Sequence, residues 1–248
     1  MLPRARLLTL SLGLCLGLPA AAQGAQTASI SARFDPERLG SATTVSLAFA
    51  ISSSGRAPAA LTAVRLAYPP NLGFATSGLG VAACPPGRLE EVGPLACPPN
   101  SRMGGGEAQV EIPIGPEAVR ENVTLELFAG PSPDGYLHVL VYANGLFPVY
   151  AQVVMSGVLL PGGLSIVIPP IPSLPAGPYV AVTHMRLTLG GNLTYYERVG
   201  SRNVAYHPAG VGLPRSCPRG GFPFAASFAF IDGSASRART AVACPRRR

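Results

Sequence analysis

Lysine and tryptophan are absent from this chain, histidine occurs only three times, and 12 carboxylates face 19 arginines. Each shortage narrows the possible functions. Without tryptophan, the commonest platform for stacking on sugar faces is missing. Hard cations want clustered Asp, Asn and Glu, whereas Asp35, Asp134 and Asp232 each stand alone. No Cys-x-x-Cys pair occurs and no histidine lies at ligand spacing from a cysteine, which argues against zinc. Neither a metal nor another cofactor is expected. A Gly-x-Ser-x-Gly nucleophile elbow is also missing. Leu213-Pro214-Arg215-Ser216 fails as a wall-sorting signal at its fourth residue. The lack of lysine, with so much Ala, Gly, Pro and Val, points to a GC-rich bacterial genome. The basic balance then reflects codon supply. Its arginines are spread out, except around Arg237 and Arg239 and at Arg246 to Arg248. Nucleic-acid binding would want a basic stripe interleaved with aromatics, so no nucleic acid is expected as a partner.

What is present begins with a leader. Arg4 and Arg6 precede an apolar run from Leu7 to Leu18, and Ala20-Ala21-Ala22 supplies small residues for cleavage. A run of about a dozen residues is short for a bilayer, which needs roughly 20. The expectation is a signal peptide over residues 1–22, with cleavage as late as 25, and no transmembrane segment in the mature chain. A single β-sandwich domain is expected over 27–248. Cleavage removes Cys15 and leaves Cys84, Cys97, Cys217 and Cys244, an even set suited to two disulfides in an oxidising compartment. Three connectivities are possible. Cys84–Cys97 with Cys217–Cys244 is favoured because each pair brackets one local loop or hairpin.

The mature chain has the periodicity of strands. Thr44 to Ile51, Gln109 to Ile114, Val123 to Leu127 and Ser227 to Phe230 alternate apolar with polar or small residues. Tyr136 to Tyr142 and Leu164 to Ile168 are more continuously apolar and suit strands covered on both faces. Turn chemistry separates the runs, with Asn144-Gly145 and Asp232-Gly233 as the strongest hairpin signals. Ile168 to Pro175 is proline-rich but leads directly into further strands, so it reads as a crossover. About ten to twelve strands at this spacing define an all-β fold, a two-sheet sandwich or jelly roll, mostly antiparallel.

Two stretches carry a resemblance. Tyr68-Pro69-Pro70-Asn71-Leu72, then Cys84 and Cys97-Pro98-Pro99-Asn100-Ser101-Arg102-Met103-Gly104, resembles a pattern of uncharacterised exported actinobacterial β-rich proteins. Cys217-Pro218-Arg219-Gly220-Gly221-Phe222-Pro223-Phe224 with Cys244-Pro245 is similar to their C-terminus. Together the stretches cover about a third of the chain. The resemblance implies export, the same fold and the same local cysteine pairs, but no functional residues.

Candidate chemistry is sparse. His138 and His184 fall within strands, and a strand histidine is more often a hydrogen-bonded structural residue than a base. Glu90-Glu91 lie side by side in a loop and point different ways. Glu126 and Glu197 could face one another only if the fold brought them together. The most polar aromatic stretch holds Tyr195, Tyr196, Glu197, Arg198, Tyr206 and His207 and is the candidate ligand or partner surface. No catalytic residue is assigned. The expectation is a secreted or cell-surface protein, structural or binding and not enzymatic. Its partner would be an envelope polysaccharide or another surface protein, and carbohydrate binding or carbohydrate chemistry is the alternative.

Overall fold

A computed structural model describes residues 26–54, 57–74, 82–114, 117–175, 177–190, 194–206 and 210–245. Residues 1–25, where a signal peptide is expected, and His207 lie outside these described residues.

The strands form where the two-residue period is clean. In β14 (Phe222–Phe230), Phe222, Phe224, Phe228 and Phe230 are all buried, while Pro223 and Ala229 between them face out. β14 pairs with β15 (Ala235–Val242) through the Asp232-Gly233 turn. Gly233 has φ 80°, a left-handed value that glycine adopts at no steric cost. The Asp232 carboxylate accepts hydrogen bonds from the Ser234 backbone N–H (2.9 Å) and hydroxyl (2.6 Å). The expected hairpin is present.

The remaining strands of the main sheet are β1 (Thr27–Asp35), β2 (Ala42–Ser52), β3 (Leu61–Ala67), β4 (Gly73–Phe74), β5 (Arg102–Ile114), β6 (Glu117–Ala129), β7 (Leu137–Gly145), β8 (Ala151–Leu160), β9 (Gly163–Val167), β10 (Ala181–Leu189) and β13 (Val211–Gly212). They run in the order β15-β14-β3-β9-β8-β7-β6-β5-β10-β2-β13-β4, with β1 on β2, and every pairing is antiparallel. The fold is all-β and sandwich-like, as the alternation predicts. Its layers, however, belong to one hydrogen-bonded ladder that curls over itself instead of two separate sheets. β1 runs alongside β15, the Phe34 ring meets Phe222 edge-on at 5.3 Å, and Phe49 meets Phe228 at 5.0 Å. Register shifts between Val182 and His184, Arg102 and Gly104, and Ala229 and Phe230 help the curl, because such irregularities bend a sheet and increase its twist. Gly106 serves the same close packing. A Cβ there would overlap the Arg186 carbonyl of β10.

Both expected disulfides are formed, Cys84–Cys97 and Cys217–Cys244. The first closes a loop holding the short helix α1 (Pro86–Val92). Glu90 and Glu91 therefore lie on a helix, not in an open loop, and Glu91 meets Arg88 at 3.7 Å. Leu89 and Cys84 are fully buried against Phe128, Leu140 and Tyr142. That second small core covers the outer face of β6 and β7 and explains why 136–142 is apolar on both parities.

Asn144-Gly145 is not a hairpin turn. β7 continues through Gly145, and residues 146–150 make the connection, which includes a cis Phe147–Pro148 bond. Gly145 is needed for space instead, since a Cβ there would sit 2.6 Å from the Glu121 carboxyl oxygen. The proline-rich stretch after β9 crosses to β10 with Ile168 buried and Pro172 bridged to Tyr179.

Candidate functional site

Inward positions of β5, β6, β7, β8 and β10 are nearly all apolar, yet the curled sheet is not filled at one end. A partly enclosed cavity of about 90 Å³ lies there, bounded by Ile112, Leu125, Val153 and Val182 on the strands. Val149 of the 146–150 connection and Ile171 and Pro172 of the crossover also border it. A second cavity, about 60 Å³ with apolar walls throughout, lies between Leu47 and Phe49 on one side and Val64 and Ile166 on the other. Met155, Ile168 and Met185 line both. Unbranched methionines adapt readily to irregular space, so these side chains form a soft partition. A single apolar cavity of roughly 150 Å³ can stay dry and admit benzene, and each of these two is smaller than that.

One acidic group interrupts the apolar wall. Glu121 is 4% exposed and lines the larger cavity. Its Oε1 accepts the Phe147 backbone N–H at 3.1 Å, and among the described residues this is its one hydrogen bond. No arginine or histidine among the described residues forms an ion pair with it. Burying a carboxyl group with so little pairing is costly. Glu121 holds the same strand parity as Val123, Leu125 and Leu127. A carboxyl at the apolar parity of an otherwise regular strand was the signal that could have found it, but sequence reasoning passed over it. The connection tied to Glu121 is itself apolar and open to solvent: Leu146 is 66% and Phe147 84% exposed.

The tyrosine-rich candidate lies elsewhere. β11 (Tyr195–Val199) and β12 (Arg202–Tyr206) form a separate two-stranded ribbon. Register pairs Tyr195 with Tyr206, Tyr196 with Ala205, Glu197 with Val204 and Arg198 with Asn203. Alternation therefore splits the candidate set. Tyr196 and Arg198 share one face with Asn203, all exposed, while Tyr195, Glu197 and Tyr206 hold the alternate positions. His207 lies outside the described residues.

The remaining candidates are engaged locally. His138 Nε2 lies 2.8 Å from the Asp134 carboxylate, which also accepts the Tyr136 N–H. The hydrogen bond to His138 is the main reason the Asp134 carboxyl is held below its ordinary range. His184 is exposed, with Nδ1 at 3.3 Å from the Thr183 hydroxyl. Glu126 is paired with Arg102 at 3.0 Å on the outer face of β6. Burial pushes the nearby Tyr142 phenol upward, and the neighbouring Tyr150 and Glu126 add to that shift.

No group of His, Cys, Asp or Glu among the described residues could hold a metal ion, and no described helix is long and apolar enough to cross a membrane. The two disulfides are compatible with an extracytoplasmic protein. Comparison with known proteins returns no matching family model, no matching curated protein and no matching solved structure.

Proposed function

We propose that this is an exported, non-catalytic binding protein. It takes a small apolar ligand with a hydrogen-bond-donating head into the open end of its curled sheet. The observation that carries this reading is Glu121, 4% exposed in the wall of the 90 Å³ apolar cavity. The apolar walls would take up an alkyl or aryl group, and the carboxyl would select an alcohol or amine head over a carboxylic acid. The exposed Leu146 and Phe147 beside the cavity would meet the ligand first. Titration calorimetry with n-hexylamine and hexanoate tests the assignment. Saturable binding of the amine, no binding of the acid, and at least tenfold weaker amine binding by Glu121→Gln are expected, the last equivalent to about 1.4 kcal/mol. Ala143→Leu, which fills the cavity from β7, should block the amine as well. Equal binding of both probes, or of neither, would overturn the reading.

A second reading rests on Tyr196, which is 72% exposed with Arg198 on the same ribbon face. An aromatic ring beside a guanidinium suits a polysaccharide or a partner protein. A glycan array probed with the protein and with Tyr196→Ala checks it. A bound glycan lost in the variant would support this reading, and a blank array would reject its carbohydrate form.

A further inference from the structure

Most arginines of the central strands are neutralised where they stand. Arg102 meets Glu126, Arg120 meets Glu111, and Arg186 meets Glu107. Arg65 on β3 and Arg237 and Arg239 on β15 are not. Arg65, Arg237 and Arg239 have no ion pair or hydrogen bond among the described residues, and all three are exposed. Arg65 lies far from the other two in sequence, but the ladder brings all three to one outer face. Arg237 on β15 and Arg65 on β3 both stand directly opposite Ser227 of β14, one on each side. Strand spacing of about 4.8 Å puts their Cα atoms roughly 10 Å apart. Arg239 is one outward position further along β15, roughly 7 Å from Arg237, opposite Ala225.

Between these arginines the sheet surface is small-residued. Ser227, Ala225, Ala67 and Gly163 floor a shallow trough of about 620 Å³, and the three arginines are the charged side chains among its described lining. We infer that this trough binds an extended phosphate-bearing polymer, laid across β15, β14, β3 and β9 with its oxyanions on Arg65, Arg237 and Arg239. Guanidinium forks match phosphate oxygens geometrically, and the small floor lets a chain approach the sheet closely. A polymer is favoured over a single phosphate by magnitude. One exposed ion pair is weak and screened by salt. Successive contacts along one chain add through effective concentration and release of the polymer's counterions.

The test uses the purified protein and fluorescently labelled long-chain inorganic polyphosphate, with binding followed by anisotropy over a sodium chloride series. The triple variant R65Q/R237Q/R239Q is expected to bind at least tenfold more weakly at low salt. The slope of log affinity against log salt should fall by roughly two to three. Its melting temperature should match the parent, since these are exposed positions. Inorganic phosphate should compete only in large molar excess, and removal of Arg246 to Arg248 should leave most of the affinity. An unchanged triple variant, or affinity that vanishes with the last three residues alone, would overturn the assignment. Competition by phosphate at matched concentration would reject the polymer, and hyaluronan binding as tightly as polyphosphate would reject the preference for phosphate. None of these outcomes depends on the interior cavity.

Discussion

Two outer faces of the same sheet are treated in opposite ways. The face of β6 and β7 is apolar and carries a cover, in which the Cys84–Cys97 loop seats Leu89 on Phe128, Leu140 and Tyr142. The face of β15, β14, β3 and β9 is left open, and its trough is lined by arginine, serine, alanine and glycine together with Leu66, Leu160 and Leu164. The difference shows what a second apolar parity requires. A strand that is apolar on both faces must bury both, and a seven-residue helix is too short to hold itself in place as a cover. Covalent closure of its loop supplies the missing order. The open face exposes mostly small residues, with Val167 and Leu160 as its large apolar side chains, and its cations remain available.

This contrast can be broken in order of expected effect. Replacing Cys84 and Cys97 together with alanine should cost about 4 kcal/mol, combining lost loop closure with loosening of the cover. Denaturant unfolding reads the loss, and hydrogen exchange in β7 reads the loosening. Leu89→Ala, with the disulfide intact, should cost about 3 kcal/mol by leaving a cavity under the cover. Cys217→Ala with Cys244→Ala should also cost about 3 kcal/mol. Its loop is longer, with a sequence separation of 27 against 13, so chain entropy alone would rank it above the first pair by about 0.6 kcal/mol. A measured order in that direction would mean that closure, and not the buried cover, dominates. On the open face, Ala225→Ser or Arg65→Gln should change stability by no more than about 0.5 kcal/mol.

The smallest effect concerns pH. Asp232 is held below its ordinary carboxyl range, chiefly by the Ser234 side-chain hydrogen bond. A depressed folded-state value means the unfolded chain binds the proton first. The stabilisation is therefore complete above the ordinary aspartate range and is lost as pH falls through the lower folded value. Asp232→Asn should flatten the acid limb of melting temperature against pH slightly. An identical limb in the variant would remove Asp232 from the account.

The β14–β15 hairpin could be read from sequence because its causes are local. Phe222, Phe224, Phe228 and Phe230 keep strict alternation, and Asp232-Gly233 supplies both the side-chain acceptor and the left-handed backbone. Asn144-Gly145 carries a similar dipeptide signal and misled, because Gly145 answers to a carboxyl group from another strand. The candidate site divides in the same manner. The exposure of Tyr196 and Arg198 follows from a polar ribbon. Glu121 and the arginine trough depend on partners tens or hundreds of residues away.

Alternation, turn residues and short loop closure act between neighbours along the chain. The all-β class, the positions of most strands and a preference for the local cysteine pairs were therefore legible in the sequence, and the structure selects those pairs from the three possible connectivities. That the layers are one curled ladder, that Glu121 faces an apolar cavity, and that Arg65 stands near Arg237 follow only from the three-dimensional arrangement. Strand order is set by which edges meet in space, and a two-residue period carries no information about which strand lies next to which.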